Sequence, residues 1–187
     1  MRTLSKHSTA VLLAPLLAVA LICAVAPATA ASREEIDAQV REALQSLFRD
    51  NPSARELADK ASGMLVFPNI IKAGLGIGGE FGEGELLVGE HTVAYYNIAS
   101  ASIGLQLGAQ KESVAILFMT ADSLAKFRES QSWNAGIDGS IAIATLGAGK
   151  ELDTEFTRKP IIGFVYSNRG LMLNLTLEGS KITRVEK

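Results

Sequence analysis

The chain's 187 residues carry 18 Lys and Arg against 20 Asp and Glu, a formal charge of −2 at pH 7. That balance argues against a general nucleic-acid binder. One cysteine and two histidines rule out an internal disulfide and leave too few Cys and His ligands for a structural zinc site.

The first 30 residues read as a secretory signal peptide. Arg2, Lys6 and His7 form a positive start, residues 11–25 are almost wholly apolar, and Ala28-Thr29-Ala30 supplies the small residues that precede cleavage. A membrane-spanning helix would want about 20 apolar residues without the early Pro15. Lipoprotein processing at Cys23 is the alternative, but Ile22 stands where a small residue is needed. Cleavage after Ala30 makes Ala31 the mature N-terminus and leaves residues 31–187 as one cysteine-free domain. Without Arg2 and Lys6 the balance is 16 basic to 20 acidic side chains. Residues 156–187 hold six of the basic and two of the acidic ones, so any anion-binding surface should draw on that end.

Ser32-Arg33-Glu34-Glu35 is a capping box. Ile36, Val40, Ala43, Leu44, Leu47 and Phe48 follow at helical spacing and predict a helix to about Arg49. Packing on the domain is the plainer use of this stripe. Lying on a membrane is the sharper one, and the mixed charge of the polar face speaks against it. Asn51-Pro52 breaks the chain, and a second box at Ser53-Ala54-Arg55-Glu56 predicts a short helix to about Ser62.

Residues 63–89, GMLVFPNIIKAGLGIGGEFGEGELLVG, organise the rest. An apolar run ends at Pro68, and Gly74, Gly76, Gly78, Gly79, Gly82 and Gly84 follow. Glycine this dense weakens a strand and persists where the chain bends or another backbone comes close. The stretch predicts a buried strand feeding a strongly bent β-ribbon. Residues 92–97, 100–106 and 113–119 predict three further strands, with a turn near 108–112. Thr120 caps a helix whose apolar side is Leu124, Ala125 and Phe127, ending near Ser130. Residues 140–146, 161–166, 171–177 and 181–185 predict strands, with a hairpin turn at 167–170. The expected fold class is α+β: N-terminal helices, then a curved, largely antiparallel sheet or partly closed barrel with one inserted helix.

The candidate chemistry is thin. Residues 74–79 match G-x-G-x-x-G, but no helix can begin at the acidic, glycine-rich residues that follow, so no dinucleotide site is expected. His91 has no accompanying nucleophile elbow and reads as an exposed turn residue. Glu80, Glu83, Glu85 and Glu90 lack EF-hand spacing and read as a solvated acidic loop. Trp133 is expected to be buried, in a loop. Arg158 and Lys159, with Lys150 and Arg169, either line an anion site or sit in an ordinary loop. Neither a metal nor a cofactor is expected.

Several segments together resemble the SYLF domain family. They are LADKASGMLVFPNIIKAGLGIGGEFGEGELL, then ASIGLQLGAQ, the helix after ILFMTADSLAKF, and the closing NRGLMLNLTLEGSKI, covering about residues 54–184. The resemblance implies a non-enzymatic domain that binds phosphoinositide or another anionic phospholipid at a membrane surface. In exported bacterial members it implies a periplasmic or outer-membrane-associated protein. It carries Lys72, at the K-A-G position, over as a headgroup contact. Arg158, Lys159 and Arg169 are the expected further headgroup charges, and Ile36, Val40, Leu44 and Phe48 the expected inserting side chains. The alternative is an envelope scaffold that docks another protein through its helix stripe or sheet edge. Actin binding is not implied for a chain with an export signal.

Overall fold

The computed structural model describes residues 30–144, 157–167, 170–171 and 177–187. The account below concerns the unit Ala31–Lys187.

Helix α1 (Arg33–Asp50) starts as its capping box predicts, with the Glu35 N–H donating to Ser32 Oγ at 3.2 Å. The reciprocal bond is replaced, because Glu35 Oε1 accepts from Gln39 Nε2 at 3.1 Å. Helix α2 (Pro52–Ala58) is shorter than expected and is not capped by Ser53. Asn51 holds the cap position without a side-chain bond, and Pro52 opens the first turn. Proline fits there because its fixed φ is helical and its missing N–H has no partner to lose.

Strands β1 (Gly63–Val88) and β2 (His91–Phe118) form one antiparallel hairpin around a two-residue turn, Gly89-Glu90, with Gly89 at φ +62°. Two expectations are corrected here. β1 does not end at Pro68, which sits in a register shift between Phe67 and Ile70, where a strand tolerates proline. β2 is one strand instead of three, and residues 110–112 pair across to β1 with no turn among them. Laid straight, 26 residues would span about 85 Å, against a radius of gyration of about 15 Å for a domain of this size. The hairpin therefore folds back on itself. A Cβ on Gly82 would come within 2.9 Å of the Asn69 carbonyl oxygen, and one on Gly84 would overlap the Val66 carbonyl oxygen. Glycine at these two positions lets the second half of β1 lie against its first half.

Helix α3 (Ala121–Glu129) is capped by Thr120, whose Oγ1 accepts from the Ser123 N–H at 3.2 Å. Its buried side is Ser123, Leu124 and Phe127, whereas Ala125 is exposed. Then come β3 (Ser132–Asn134), β4 (Ala142–Ile143), β5 (Ile161–Ser167), β6 (Gly170–Leu171) and β7 (Lys181–Val185). Among the described residues the sheet has seven strands in the order β3-β7-β2-β5-β4, with β1 on β2 and β6 on β5. The β4–β5 pair alone is parallel. The strand expected at 140–146 is described only as β4. Of that expected at 171–177, Leu171 pairs with Tyr166 and residues 172–176 lie outside the described residues. The α+β class and the curled, mostly antiparallel sheet are as the sequence predicts.

Where α1 covers it the sheet buries both faces, and there Leu65–Phe67, Val114–Phe118 and Ile161–Tyr166 read as near-continuous apolar runs. Leu65, Phe67, Leu86, Ile98, Ile116 and Val165 fill the inside of the curl. Val66, Leu87, Leu117, Ile162 and Phe164 turn outward and pack under Ile36, Val40 and Leu47 of α1. Trp133 is buried as expected, but in β3 rather than a loop, edge-on to Phe127 with ring centroids 5.8 Å apart.

Candidate functional site

The expected site residues fall into three places. The first is a groove of about 690 Å³ between α1, α2 and the β1–β2 turn. Val40, Leu44 and Phe48 line it from α1, Met64 and Leu87 from β1. Leu44 and Phe48 are half-buried, as i and i+4 positions on the flank of a stripe should be. Ile36 lies outside the groove, wholly in the core. Two arginines that the sequence reading passed over stand at the rim. Arg41 is exposed and forms no salt bridge among the described residues, whereas Arg55 lies over the Phe48 ring at 5.2 Å and pairs with Asp59 at 3.0 Å.

Glu85 forms the polar end of this groove. It is buried, its Oε2 accepts from Thr92 Oγ1 at 2.8 Å, and Asp37 of α1 is its other neighbour. Burial, then the bond to Asp37, pushes its carboxyl up to about 7. Asp37 also accepts from Tyr95 Oη at 2.9 Å. Burial and that carboxylate push the phenol up to about 12. Arg33 faces the Tyr95 ring at 5.9 Å. The acidic stretch is thus not the solvated loop the sequence suggested. It alternates along β1, with Glu80 turned inward, Glu83 and Glu85 outward, and of the four only Glu90, in the turn, exposed.

Lys72 occupies the second place, and it is not presented to solvent. It is 6% exposed, with Nζ 2.9 Å from Glu112 Oε1 and 3.1 Å from Glu80 Oε1. Burial alone would lower its pKa, but Glu112 and then Glu80 outweigh it and hold it above its usual value. One cation serves two carboxylates, so burial still wins at Glu112, whose carboxyl is raised. As folded, Lys72 is an internal counter-ion, which corrects its reading as a headgroup contact. Glu112 had no signal in the sequence beyond standing two pairs along from Lys72 in a register that could not be read.

The third place is the loop before β5. Arg158 and Lys159 are exposed, and Lys159 lines a cleft of about 440 Å³ with Asp122, Lys126 and Trp133. Arg169 and Lys150 lie outside the described residues. Among the described residues, Lys72, the Arg158–Lys159 pair and the α1 side chains Val40, Leu44 and Phe48 lie in three separate places. His91 is exposed at the first position of β2, as expected.

Residues 99–187 match the family model described as "Ysc84: Las17-binding protein actin regulator". This half of the chain carries a SYLF domain. The match begins inside β2 and does not take in the glycine-rich strand β1. SYLF domains are binding domains. No curated protein matches the chain.

Proposed function

We propose that this SYLF protein is an exported, non-enzymatic lipid-binding protein of the envelope, periplasmic or associated with the outer membrane, and that it takes an anionic phospholipid in the α1–α2 groove. The observation that carries this is the groove's composition: an apolar lining of Val40, Leu44, Phe48 and Met64 beside the exposed guanidinium of Arg41, with Asp59, Glu85 and Glu90 also in the lining. Such a lining suits an acyl chain, and the arginine suits a phosphate. The burial of Ile36, Val40 and Leu47 against the sheet favours lipid entering the groove over α1 leaving the domain to lie on a bilayer. The net negative charge works against general attraction to an anionic membrane, which makes a built site the better explanation of binding.

Flotation of Ala31–Lys187 with neutral, anionic and phosphoinositide-doped vesicles tests this at low and high salt. Binding to anionic vesicles should fade with salt. It should drop about tenfold in Arg41→Glu and persist in the double variant Arg158→Glu/Lys159→Glu. Loss only in the latter moves the site to the loop before β5. Failure to bind any vesicle sinks the lipid reading. The scaffold reading then gains, with Ile71 and Phe81 (56% and 52% exposed) on β1 as its docking side chains, and a stoichiometric co-purifying partner as its sign.

A further inference from the structure

Three distant parts of the chain meet at the carboxylate of Glu83. The Ala31 N–H donates to Glu83 Oε2 at 2.8 Å. Lys187 Nζ lies 2.6 Å from Glu83 Oε1 and donates to the Ala31 carbonyl at 2.8 Å. The Glu83 and Lys187 side chains are only 16% and 10% exposed, so this is a built clamp and not a surface encounter. Glu83 Oε1 serves the Lys187 ammonium, while Oε2 is aimed at the backbone nitrogen of Ala31. Ala31 is also the residue that the small-residue pattern at 28–30 makes the mature N-terminus.

We infer that Glu83 is the seat of the mature α-ammonium, and that hydrolysis of the Ala30–Ala31 bond completes the clamp. In that step water adds across the peptide bond through an envelope peptidase. The carboxylate leaves with residue 30, and the Ala31 amine takes up a proton. One N–H···O bond becomes an ion pair at the same position. Lys187 and the positive end of α1 oppose a second cation there, whereas Glu83 itself and Glu34 and Glu35 in the first turn of α1 favour it. The inference rests on the expected cleavage and is independent of what the groove binds.

The test produces the full chain in a bacterial secretion host and determines the N-terminus of the exported protein by intact mass. It then measures acylation of the α-amine by an amine-reactive ester at pH 7. The mature chain should begin at Ala31. Its α-amine should react about tenfold more slowly than in Glu83→Gln, the change expected for one pKa unit. In Lys187→Gln, outside any strand, the competing cation is gone and the amine should react more slowly still. A mature N-terminus elsewhere, acylated Cys23 included, overturns the inference. So does an Ala31 amine that reacts at one rate in all three proteins.

Discussion

Lys72 Nζ lies 3.1 Å from Glu80 Oε1, although the two stand eight positions apart along one strand. A straight strand would set their Cα atoms about 26 Å apart, far beyond the combined reach of the two side chains. The ion pair therefore records how sharply β1 turns between them, and Gly74, Gly76, Gly78 and Gly79 occupy that interval. Glu112 on β2 completes the clasp from the facing strand.

Breaking the clasp should be costly. Lys72→Met leaves two carboxylates without their counter-ion, one of them almost fully buried. Removing one partner of a buried pair costs about 3–5 kcal/mol. Glu80→Gln should cost less, because Glu112 remains and Glu80 is partly exposed. Urea denaturation monitored by circular dichroism measures both. The same clasp gives a pH signature. Lys72 titrates above its unfolded value of 10.5, so its contribution is complete below that pH and is lost as pH rises through the higher folded value. An unchanged urea midpoint in Lys72→Met would falsify the clasp.

Glycines 79 and 84 should respond differently to alanine. At Gly79 the nearest atom to an added Cβ is the Ser100 carbonyl oxygen at 3.7 Å, an ordinary contact. At Gly84 the added carbon overlaps the Val66 carbonyl oxygen and comes within 2.7 Å of Phe67 Cδ1. Gly84→Ala should destabilise by roughly 1–3 kcal/mol through overpacking. Gly79→Ala should be neutral or slightly stabilising, since alanine restricts the unfolded chain. Thermal melts of the two variants side by side decide it, and equal melting temperatures would count against the fold-back.

Much of this was legible from residues alone. The Ser32 and Thr120 caps act locally, through bonds spanning three residues, so their signals survive without tertiary knowledge. The density of glycine announced the bend. What could not be read was where the bent strand lands. Period-2 alternation places Glu80 on one face and Glu83 and Glu85 on the other, but register shifts at Pro68 and near Gly76 determine which residues they meet. An acidic run that looked solvated thus became three separate contacts, with Lys72, with Ala31 and with α1. The same ignorance of register presented Lys72 as a free cation and missed Glu112. Arg41 was passed over because it falls on the polar face of α1, beside the flank that the groove uses.

Glu85 should make stability depend on pH near neutrality. Its folded value of about 7 exceeds the unfolded 4.5, so the folded state binds the extra proton between them. Its contribution is present below about pH 4.5 and is lost as pH rises through 7, with a slope of up to about 1.4 kcal/mol per pH unit. Asp37 and Arg41 on α1 and Thr92 and Tyr95 on β2 face it and stay in place in Glu85→Gln, which mimics the protonated form. That variant should be more stable than the parent at pH 8, equal to it near pH 4, and flatter between. A parent and variant with parallel stability profiles from pH 5 to 8 would remove Glu85 as the cause.

Phe127 should be the residue on which the inserted helix depends. Its ring lies 4.8 Å from that of Phe118, 5.0 Å from Tyr96 and 5.8 Å from Trp133, centroid to centroid. It thereby joins α3 to both ends of β2 and to β3. Phe127→Ala opens a cavity among three aromatic rings and should cost about 3–5 kcal/mol. The chain has a single tryptophan, so fluorescence reads this one place. Trp133, 4% exposed, should emit at short wavelength in the parent. It should shift red in the variant while the protein is still folded, as water reaches the indole edge that Phe127 covered. A folded Phe127→Ala protein with unshifted emission would show that α3 is held instead by Leu124 and by Ser123 Oγ, which donates to the Pro160 carbonyl at 3.1 Å.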